Sequence, residues 1–392
     1  MSDKTRVVVI GGGYAGVLAA NRLRQRPDVE ITVINPRPHF VERIRLHQLV
    51  AGNNEAIASY DELLGAGIRL VVVTARRIDT ENRRIELSAG AAIEYDYVIY
   101  AVGSTGSVPA GVPGATRFGY PLGELEQAQR LRARLQDIPA SAPVVVVGGG
   151  LTGVEAAAEL AEAGRPVTLV GDVLAPSVAR SGRRSIAKRL AKLDVTVIDG
   201  PGAIVTRVSA DAIELAGGRR LPSAVTVWTA GFGVPDLAAA SGLRTDDLGR
   251  LLTDETLTSV DDSRIIAAGD AGAPSGLPLR MSCQSALPLG AQAAQTVLAR
   301  LEGTEPVPIS LAFTGQCISV GRNAGTIQLA HADDSPRRAF IGGRAAAFVK
   351  EQVCRGTLSF LRKEARKPGS YFWFKSGWRD AELAAHPKVA AR

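Results

Sequence analysis

Cysteine is scarce in this sequence. Only Cys283, Cys317 and Cys354 occur among 392 residues, and no two of them form a CxxC or CxxxxC motif. This excludes a small disulfide-stapled fold and a redox-active cysteine pair of either spacing, and it favours a reducing, cytoplasmic compartment. We predict that each cysteine is a buried apolar residue.

Long hydrophobic runs are absent as well. No apolar run approaches the ~20 residues that a membrane-spanning helix needs, and the N-terminal MSDKTRVVVIGGG lacks a signal-peptide layout. Residues 339–392 contain eleven Lys/Arg and four Asp/Glu, so this tail alone carries a charge equal to the +7 of the whole chain. The localised charge argues against a nucleic-acid-binding surface spread over the protein.

The sequence does contain a repeated segment. Residues 6–23 read RVVVIGGGYAGVLAANRL and residues 143–160 read PVVVVGGGLTGVEAAAEL, with eleven of eighteen positions identical at a constant offset of 137. Each copy has an aliphatic run suited to a buried parallel strand, then G-x-G-x-x-G, then an Ala/Leu-rich helix pattern. The repeat therefore predicts two strand–turn–helix units of the same kind in a chain long enough for two or three domains.

The glycines of each unit suit a dinucleotide. Gly11 and Gly148 permit the tight turn, Gly13 and Gly150 let the backbone approach a pyrophosphate, and Gly16 and Gly153 let helix and strand pack closely. The diphosphate then lies at the positive end of the helix. Two such sites in one chain indicate two dinucleotides, and FAD with NAD(P)H is the pairing that lets electrons pass between them. No metal site is predicted.

Three later segments carry a family resemblance. They are YDYVIYAVGS at 95–104, VWTAG at 227–231 and RIIAAGD at 264–270. With the two glycine motifs, they resemble the FAD-dependent pyridine nucleotide-disulfide oxidoreductase superfamily, and most of all its type II NADH dehydrogenase (NADH:quinone oxidoreductase) branch. The resemblance covers roughly residues 5–330.

The resemblance implies an α/β fold with two doubly wound, Rossmann-like dinucleotide-binding domains and a small C-terminal α+β domain. We expect residues 1–108 and 250–303 to form a split FAD-binding domain, residues 124–235 the NAD(P)H-binding domain and residues 309–392 the C-terminal domain. Gly103, Gly269 and Asp270 would then bind FAD, with the Asp270 carboxylate accepting a hydrogen bond from the ribityl chain.

The residues that would bind the two adenosine riboses depart from the usual acidic residue. Asn35 ends the second strand of the first unit and replaces the charge with an amide. In the second unit the strand pattern places Gly171 at this position, whereas the constant offset places Asp172 there. Asp172 would favour NADH by repelling a 2′-phosphate. Gly171 would allow NADPH as well, with Arg180, Arg183 or Arg184 as phosphate contacts.

The resemblance also implies catalytic residues. Glu155, two residues after Gly153, would lie near the nicotinamide and the flavin, with a helix-dipole partner as its structural alternative. Arg45 or His47 would stabilise the reduced flavin or supply a proton.

The acceptor side departs from the family pattern. Gln284 keeps the first glutamine of the family's AQ-x-A-x-QQ-G motif, but Pro288 and Leu289 replace its later pair, so the quinone pocket is not carried over intact.

The C-terminal region concentrates aromatic and basic residues. Five of the nineteen aromatics lie within residues 371–378. They would contact an anionic membrane surface at the inner face of the cell membrane, pack back on the flavin domain, or form a dimer interface.

We predict a cytoplasmic flavoenzyme that passes hydride from NAD(P)H to FAD and electrons to a quinone-like or other small acceptor. The alternatives are a reductase of a ferredoxin- or rubredoxin-like protein and a non-catalytic redox-sensing flavoprotein.

Overall fold

Two five-stranded parallel sheets dominate the structure, a computed structural model that describes residues 4–386. The predicted α/β class with two Rossmann-like sheets is confirmed. The α-helices are α1 (Tyr14–Leu23), α2 (Leu46–Val50), α3 (Tyr60–Leu63), α4 (Ala115–Phe118), α5 (Leu125–Gln136), α6 (Leu151–Glu162), α7 (Arg180–Lys192), α8 (Leu237–Ala240), α9 (Cys283–Leu301), α10 (Gly343–Arg366) and α11 (Trp378–Ala385). Short 3₁₀ helices span Arg43–Arg45, Pro201–Ala203 and Gly269–Ala271.

The strands are numbered in chain order. They are β1 (Thr5–Ile10), β2 (Val29–Asn35), β3 (His39–Val41), β4 (Ile57–Ser59), β5 (Ile68–Val72), β6 (Ala75–Asp79), β7 (Arg84–Leu87), β8 (Ala92–Glu94), β9 (Tyr97–Tyr100), β10 (Thr105–Gly106), β11 (Gly119–Pro121), β12 (Val144–Val147), β13 (Val167–Gly171), β14 (Thr196–Asp199), β15 (Val205–Val208), β16 (Ala212–Leu215), β17 (Arg220–Pro222), β18 (Val225–Trp228), β19 (Phe232–Gly233), β20 (Leu251–Thr253), β21 (Ile265–Ala267), β22 (Gly272–Pro274), β23 (Gly315–Ser319), β24 (Gly325–Ala330) and β25 (Pro336–Gly342).

The first parallel sheet has the strand order β21-β9-β1-β2-β5. Its central strand β1 is the first aliphatic run, and Val7 to Ile10 are almost fully buried because both faces are covered. Helices α1 and α9 pack on one face, and strands β6 and β7 with helix α8 pack on the other. The late strand β21 adds to the edge of β9, with Ile265 opposite Val98. The order of the strands is the 3-2-1-4-5 of dinucleotide-binding folds, in which ligands bind at the carboxyl ends of the strands.

The second parallel sheet repeats this plan with the order β11-β18-β12-β13-β14. Its central strand β12 is the second aliphatic run, and all four valines are buried. The two G-x-G-x-x-G turns therefore follow equivalent central strands, as the repeat predicts.

Helix α9 joins the late part of the chain to the first glycine unit. It crosses α1 so closely that a side-chain carbon on Gly290 would lie 2.3 Å from the carbonyl oxygen of Ala15. This contact places the N-terminus of α9, with Cys283 and Gln284, beside the first glycine turn.

The C-terminal part consists of the antiparallel sheet β23-β24-β25 and helices α10 and α11. A buried ion pair between Arg22 of α1 and Glu364 of α10 (2.8 Å) holds this part against the first sheet. Glu364 also accepts hydrogen bonds from the backbone N–H groups of Gly369 and Tyr371. The turn after α10 is therefore fastened at several points.

The aromatic cluster of the tail divides into two sets. Trp373 and Trp378 donate their indole N–H groups to the carbonyls of Ser310 and Leu311, and with Tyr371 they pack on the core of the first sheet. Phe372 and Phe374 instead remain 72% and 66% exposed. Within residues 4–386, none of the helices has the length and apolar character to cross a membrane.

Candidate active site

The first glycine turn leaves a helix start open to a cleft. Gly11 has φ +108°, and an added carbon there would lie 2.2 Å from the carbonyl oxygen of Ala101. Gly16 would similarly meet the carbonyl of Gly11 at 1.9 Å, whereas Gly13 has nothing within 4 Å. Gly13 is also the N-cap of α1, and no side chain caps this helix. The first-turn N–H groups are thus free to receive an anionic group.

The cleft also contains a carboxylate with one unsatisfied oxygen. Ser104 Oγ donates to Asp270 Oδ2 (2.7 Å), and Arg43 Nη1 donates to Ser104 O and Oγ (2.6 and 3.0 Å). Asp270 Oδ1 is buried and has no hydrogen-bond partner among the described residues. Burial raises the pKa of Asp270, although Ser104 and Arg43 act against this shift.

These groups line one cleft of about 360 Å³, which also includes Gly103, Gly269 and Asn35. An acceptor oxygen without a donor suits a ligand hydroxyl, and a row of free N–H groups suits a pyrophosphate. FAD offers both, so the residues fit this cofactor. Ser104 and Arg43 were not predicted as site residues, although Ser104 directly follows the predicted Gly103.

Asn35 supports the glycine turn. Its Oδ1 accepts from the N–H of Gly12 (3.0 Å) and its Nδ2 donates to the carbonyl of Arg37 (2.8 Å). Tyr60 OH donates to the carbonyl of Gly12 (2.7 Å). Each amide group of Asn35 keeps one further hydrogen-bonding position, so a ribose contact stays a prediction.

The second glycine turn repeats the geometry of the first. Gly148 has φ +122° and would crowd Thr229 Oγ1, and a carbon on Gly153 would lie 1.9 Å from the carbonyl of Gly148. Gly150 has open space and is the N-cap of α6, again without a side-chain cap. This turn therefore offers a second site for a pyrophosphate, which is the expected place for NAD(P)H.

Strand pairing settles which residue of the second unit matches Asn35. Ile10 pairs with Ile34 in the first sheet, and Val147 pairs with Val170 in the second. The residue that follows is Asn35 in one case and Gly171 in the other, so the constant offset that pointed to Asp172 does not hold. The reason is that the second unit has one residue fewer between its helix and its second strand than the first unit has. Asp172 is exposed and lies one residue beyond the matched position.

No side chain fits at position 171. An added carbon on Gly171 would lie 2.5 Å from the backbone nitrogen of Gly149. The backbone N–H of Ala175 donates to the carbonyl of Gly149 (2.6 Å), as Tyr60 OH does to Gly12 in the first unit. The loop after β13 thus closes over the turn and excludes a carboxylate from the matched position.

Glu155 lies at the centre of a buried polar cluster. Its Oε1 accepts from the N–H of Ser319 (2.9 Å) and pairs with Lys350 Nζ (3.0 Å), and its Oε2 lies 3.7 Å from His47 Nδ1. Burial would raise the pKa of Glu155, but Lys350 and these neighbours lower it. Burial likewise opposes the charge of Lys350, but Glu155 raises its pKa. The pair is therefore charged at neutral pH.

The structure places His47 beside Glu155, whereas Arg45 contacts other carboxylates. The guanidinium of Arg45 contacts Glu42, Gln48 and Glu351 at 3.0 to 3.2 Å, so its charge is neutralised between α2 and α10. Lys350 of α10 takes the place beside Glu155. Sequence reasoning missed Lys350, whose one signal is a lone cation in the small and apolar segment AAAFVK.

The segment expected on the acceptor side forms the start of α9, which begins at Cys283. Gln284 has its amide bound to Thr314 Oγ1 (2.7 Å). Cys283 and Cys317 are free thiols of intermediate exposure, and Cys354 is free and buried. Burial raises the pKa of all three, which keeps them protonated at neutral pH.

Comparison with known proteins agrees with this arrangement. Residues 5–295 match the family "Pyridine nucleotide-disulphide oxidoreductase". An NADH dehydrogenase-like protein of Mycobacterium tuberculosis is 33% identical over 326 residues, which cover 75% of this chain and 80% of that protein. The type II NADH:quinone oxidoreductase Ndh of the same species is 29% identical over 354 residues, covering 77% and 74%.

Solved structures share the fold. The sulfide:quinone oxidoreductase of Aquifex aeolicus superimposes with a TM-score of 0.76 at 20% identity, covering 98% of this chain and 96% of that one. NDH2 of Plasmodium falciparum in complex with NADH has a TM-score of 0.76 at 15% identity, covering 94% and 99%. The chain belongs to the pyridine nucleotide-disulphide oxidoreductase family, in its NADH dehydrogenase-like branch, and is a flavin-dependent oxidoreductase that uses FAD and NAD(H).

Proposed function

We propose that the enzyme binds FAD in the cleft of the first glycine turn and a nicotinamide nucleotide at the second, and reduces a quinone-like acceptor. Bound FAD supplies the chemistry that accepts a hydride and passes two electrons on. The observation that carries this proposal is the pair of uncapped helix starts, at Gly13 and Gly150, with Asp270, whose Oδ1 has no partner among the described residues, in the same cleft as the first. The relatives named as NADH:quinone oxidoreductases support the acceptor class.

The chain's own residues have separate tasks. Gly13 and the first turn of α1 would bind the FAD pyrophosphate, and Asp270, oriented by Ser104 and Arg43, would accept a hydroxyl hydrogen bond. Glu155 and Lys350 would hold and move the proton that a quinone needs in addition to the hydride. Arg45 instead connects α2 to α10 through Glu351.

The test begins with the purified protein. We expect roughly one FAD per chain, reduction of the bound flavin by NADH in stopped-flow experiments, and reoxidation by menadione. A protein that takes up no FAD on reconstitution would contradict the proposal. Reoxidation by a small iron–sulfur protein but not by menadione would replace the quinone-like acceptor with a protein acceptor.

We further propose that the nucleotide site accepts NADPH as well as NADH. Gly171 leaves no carboxylate to repel a 2′-phosphate, and Arg183 at the start of α7 has a buried Nε without a hydrogen-bond partner among the described residues. Comparing kcat/KM for the two nucleotides tests this. A preference for NADH above about 100-fold, or about 2.7 kcal/mol, would contradict it.

We also propose that the exposed face of α10 and the segment after it contact an anionic membrane surface peripherally. Phe348, Phe360, Phe372 and Phe374 are 45% to 72% exposed. Phe360 packs against Tyr371 (5.6 Å between ring centroids), which connects the two elements, and Lys363, Lys367 and Lys375 lie among them. Apolar rings bordered by lysines suit the headgroup region of anionic lipids.

A further inference from the structure

Three carboxylates lie along one face of α6. Glu155, Glu159 and Glu162 are spaced by four and three residues, which places them on successive turns of the same face. Glu155 and Glu159 are buried, whereas the Glu162 side chain is 23% exposed at the far end of the helix. We call these three residues the α6 carboxylate row. It extends from the Glu155–Lys350 pair to the protein surface.

The middle member is fully buried. Asn53 Nδ2 donates to Glu159 Oε2 (2.7 Å), and the guanidinium of Arg322 forms an ion pair with Glu159. Burial raises the pKa of Glu159, and Arg322 and Asn53 offset this only in part. A carboxyl group of this kind takes up a proton more readily than an exposed one.

The outer end of the row meets solvent. Glu162 accepts a hydrogen bond from the backbone N–H of Arg322 and lies 3.4 Å from Arg189. The Arg322 side chain, which also contacts Glu159, is 35% exposed. The surface is therefore one side chain away from the buried Glu159.

The inner end contains a buried histidine. His47 Nδ1 faces Glu155, while His47 Nε2 is buried with no hydrogen-bond partner among the described residues. Charged groups face this ring from α6 (Glu155), α10 (Lys350), the turn between β23 and β24 (Arg322) and its own segment (Arg45).

Burial lowers the pKa of His47 to about 4, against the effect of Glu155, so the ring is neutral at pH 7. A neutral imidazole can accept a proton at one nitrogen and release one from the other.

We propose that the α6 carboxylate row and His47 form the path by which a solvent proton reaches the acceptor site. This rests on the proposed quinone-reducing function. A quinone takes up two electrons and two protons, and the hydride from NADH supplies both electrons and one proton. The second proton enters beside Glu162 and Arg322, binds Glu159, and passes to the buried His47 Nε2, which has no other partner among the described residues. His47 then releases its Nδ1 proton to the Glu155–Lys350 pair.

Glu159→Gln tests the path, because glutamine keeps the size of the side chain and its contact with Asn53 but cannot carry the proton. The matched control is Glu364→Gln, which changes another fully buried glutamate paired with an arginine. Two acceptors separate proton delivery from electron transfer, since menadione consumes protons and ferricyanide does not.

We expect Glu159→Gln to slow reoxidation by menadione at least 10-fold and to raise its solvent isotope effect. Flavin reduction by NADH and reoxidation by ferricyanide should stay within 2-fold of the parent protein. Glu364→Gln should leave all of these rates unchanged.

His47→Gln provides a second variant and should slow menadione reoxidation in the same selective way. An independent readout is ¹⁵N NMR of flavin-free protein, in which His47 should be neutral at pH 7 with its proton on Nδ1. Unchanged menadione reoxidation in both variants, equal slowing with both acceptors, or an imidazolium His47 at pH 7 would each overturn the path. If NADH does not reduce the flavin of the parent protein, or menadione does not reoxidise it, the proposed function itself fails.

Discussion

Asp270 Oδ1 has no hydrogen-bond partner among the described residues. Replacing Asp270 should therefore change cofactor affinity and the stability of the FAD-free protein in opposite directions. Asp270→Asn keeps the shape of the side chain and an acceptor oxygen, but it removes the negative charge that faces the cleft. The parent carboxylate lies against the cleft with one oxygen buried and unsatisfied. FAD binding should therefore weaken, while the FAD-free protein should become more stable.

The size of the loss follows from the contact. A hydrogen bond to a charged group contributes about 1.5–3 kcal/mol. If Asn retains part of the contact, FAD affinity should fall by about 10- to 100-fold, since 1.4 kcal/mol corresponds to a factor of ten.

The sign of the stability change follows from proton linkage. The folded-state pKa of Asp270 is raised by burial, so the folded FAD-free protein binds more protons than the unfolded chain as pH rises above about 3.9. Its stability therefore falls as pH rises through the raised pKa. Asp270→Asn removes this loss and should raise the Tm of the FAD-free protein at pH 7 more than at pH 4.

Fluorescence titration with FAD and calorimetry of the FAD-free protein measure the two effects. Asp79→Asn is the matched control, because Asp79 lies outside the cleft and its pKa is lowered by hydrogen bonds from Asn82. That control should lose stability at neutral pH and keep its FAD affinity. Unchanged FAD affinity in Asp270→Asn, or a lower Tm for its FAD-free form at pH 7, would refute the reasoning.

Four further predictions concern the nicotinamide, the phosphate and ribose of the nucleotide, and the membrane. Glu155→Gln should slow flavin reduction or the handling of bound nicotinamide while FAD content is kept, and unchanged transient kinetics would assign Glu155 a structural role. Arg183→Ala should raise KM for NADPH about 10-fold, the loss of about 1.4 kcal/mol, and leave KM for NADH unchanged. Lys192→Ala on the same helix serves as its control, and equal effects on both nucleotides would argue against a phosphate contact. Asp172→Ala should change neither nucleotide's kinetics, and an erosion of an NADH preference would restore the ribose contact. The double variant Phe372→Ser/Phe374→Ser should reduce binding to vesicles containing phosphatidylglycerol, with Phe232→Ser as control, and full retention of binding would contradict the membrane contact.

The two glycine turns are the part of the site that the sequence predicted best. Strand, turn and helix are adjacent in the chain, and Gly16 and Gly153 approach the carbonyl oxygens of Gly11 and Gly148 within the same turn. Gly11 and Gly148 instead approach Ala101 and Thr229, which follow the neighbouring strand of each sheet but lie more than 80 residues away in the chain. Such a unit has few alternative conformations, because an added carbon at these glycines would collide with a carbonyl oxygen or a side-chain hydroxyl. Local pattern was therefore sufficient for the fold class and for the two expected nucleotide sites.

The choice between Gly171 and Asp172 needed strand pairing. A constant offset assumes equal connections in both units, and one residue fewer between helix and strand shifts the position by one. In a strand, a shift of one residue sends the side chain to the opposite face of the sheet. The pairing of Val147 with Val170 decided the register.

By itself, the sequence determined the family, the two-sheet architecture and the positions of Gly13, Gly150 and Asp270, since each depends on a contiguous motif. Only the tertiary structure decided that Lys350 stands beside Glu155, that Arg45 is neutralised by Glu351, and that Glu159 lies beside Arg322. These partners are separated by 160 to more than 300 positions in the chain. No local periodicity encodes which charges meet once α6, α10 and the β23–β24 turn pack together, because that depends on the burial of all three elements at once.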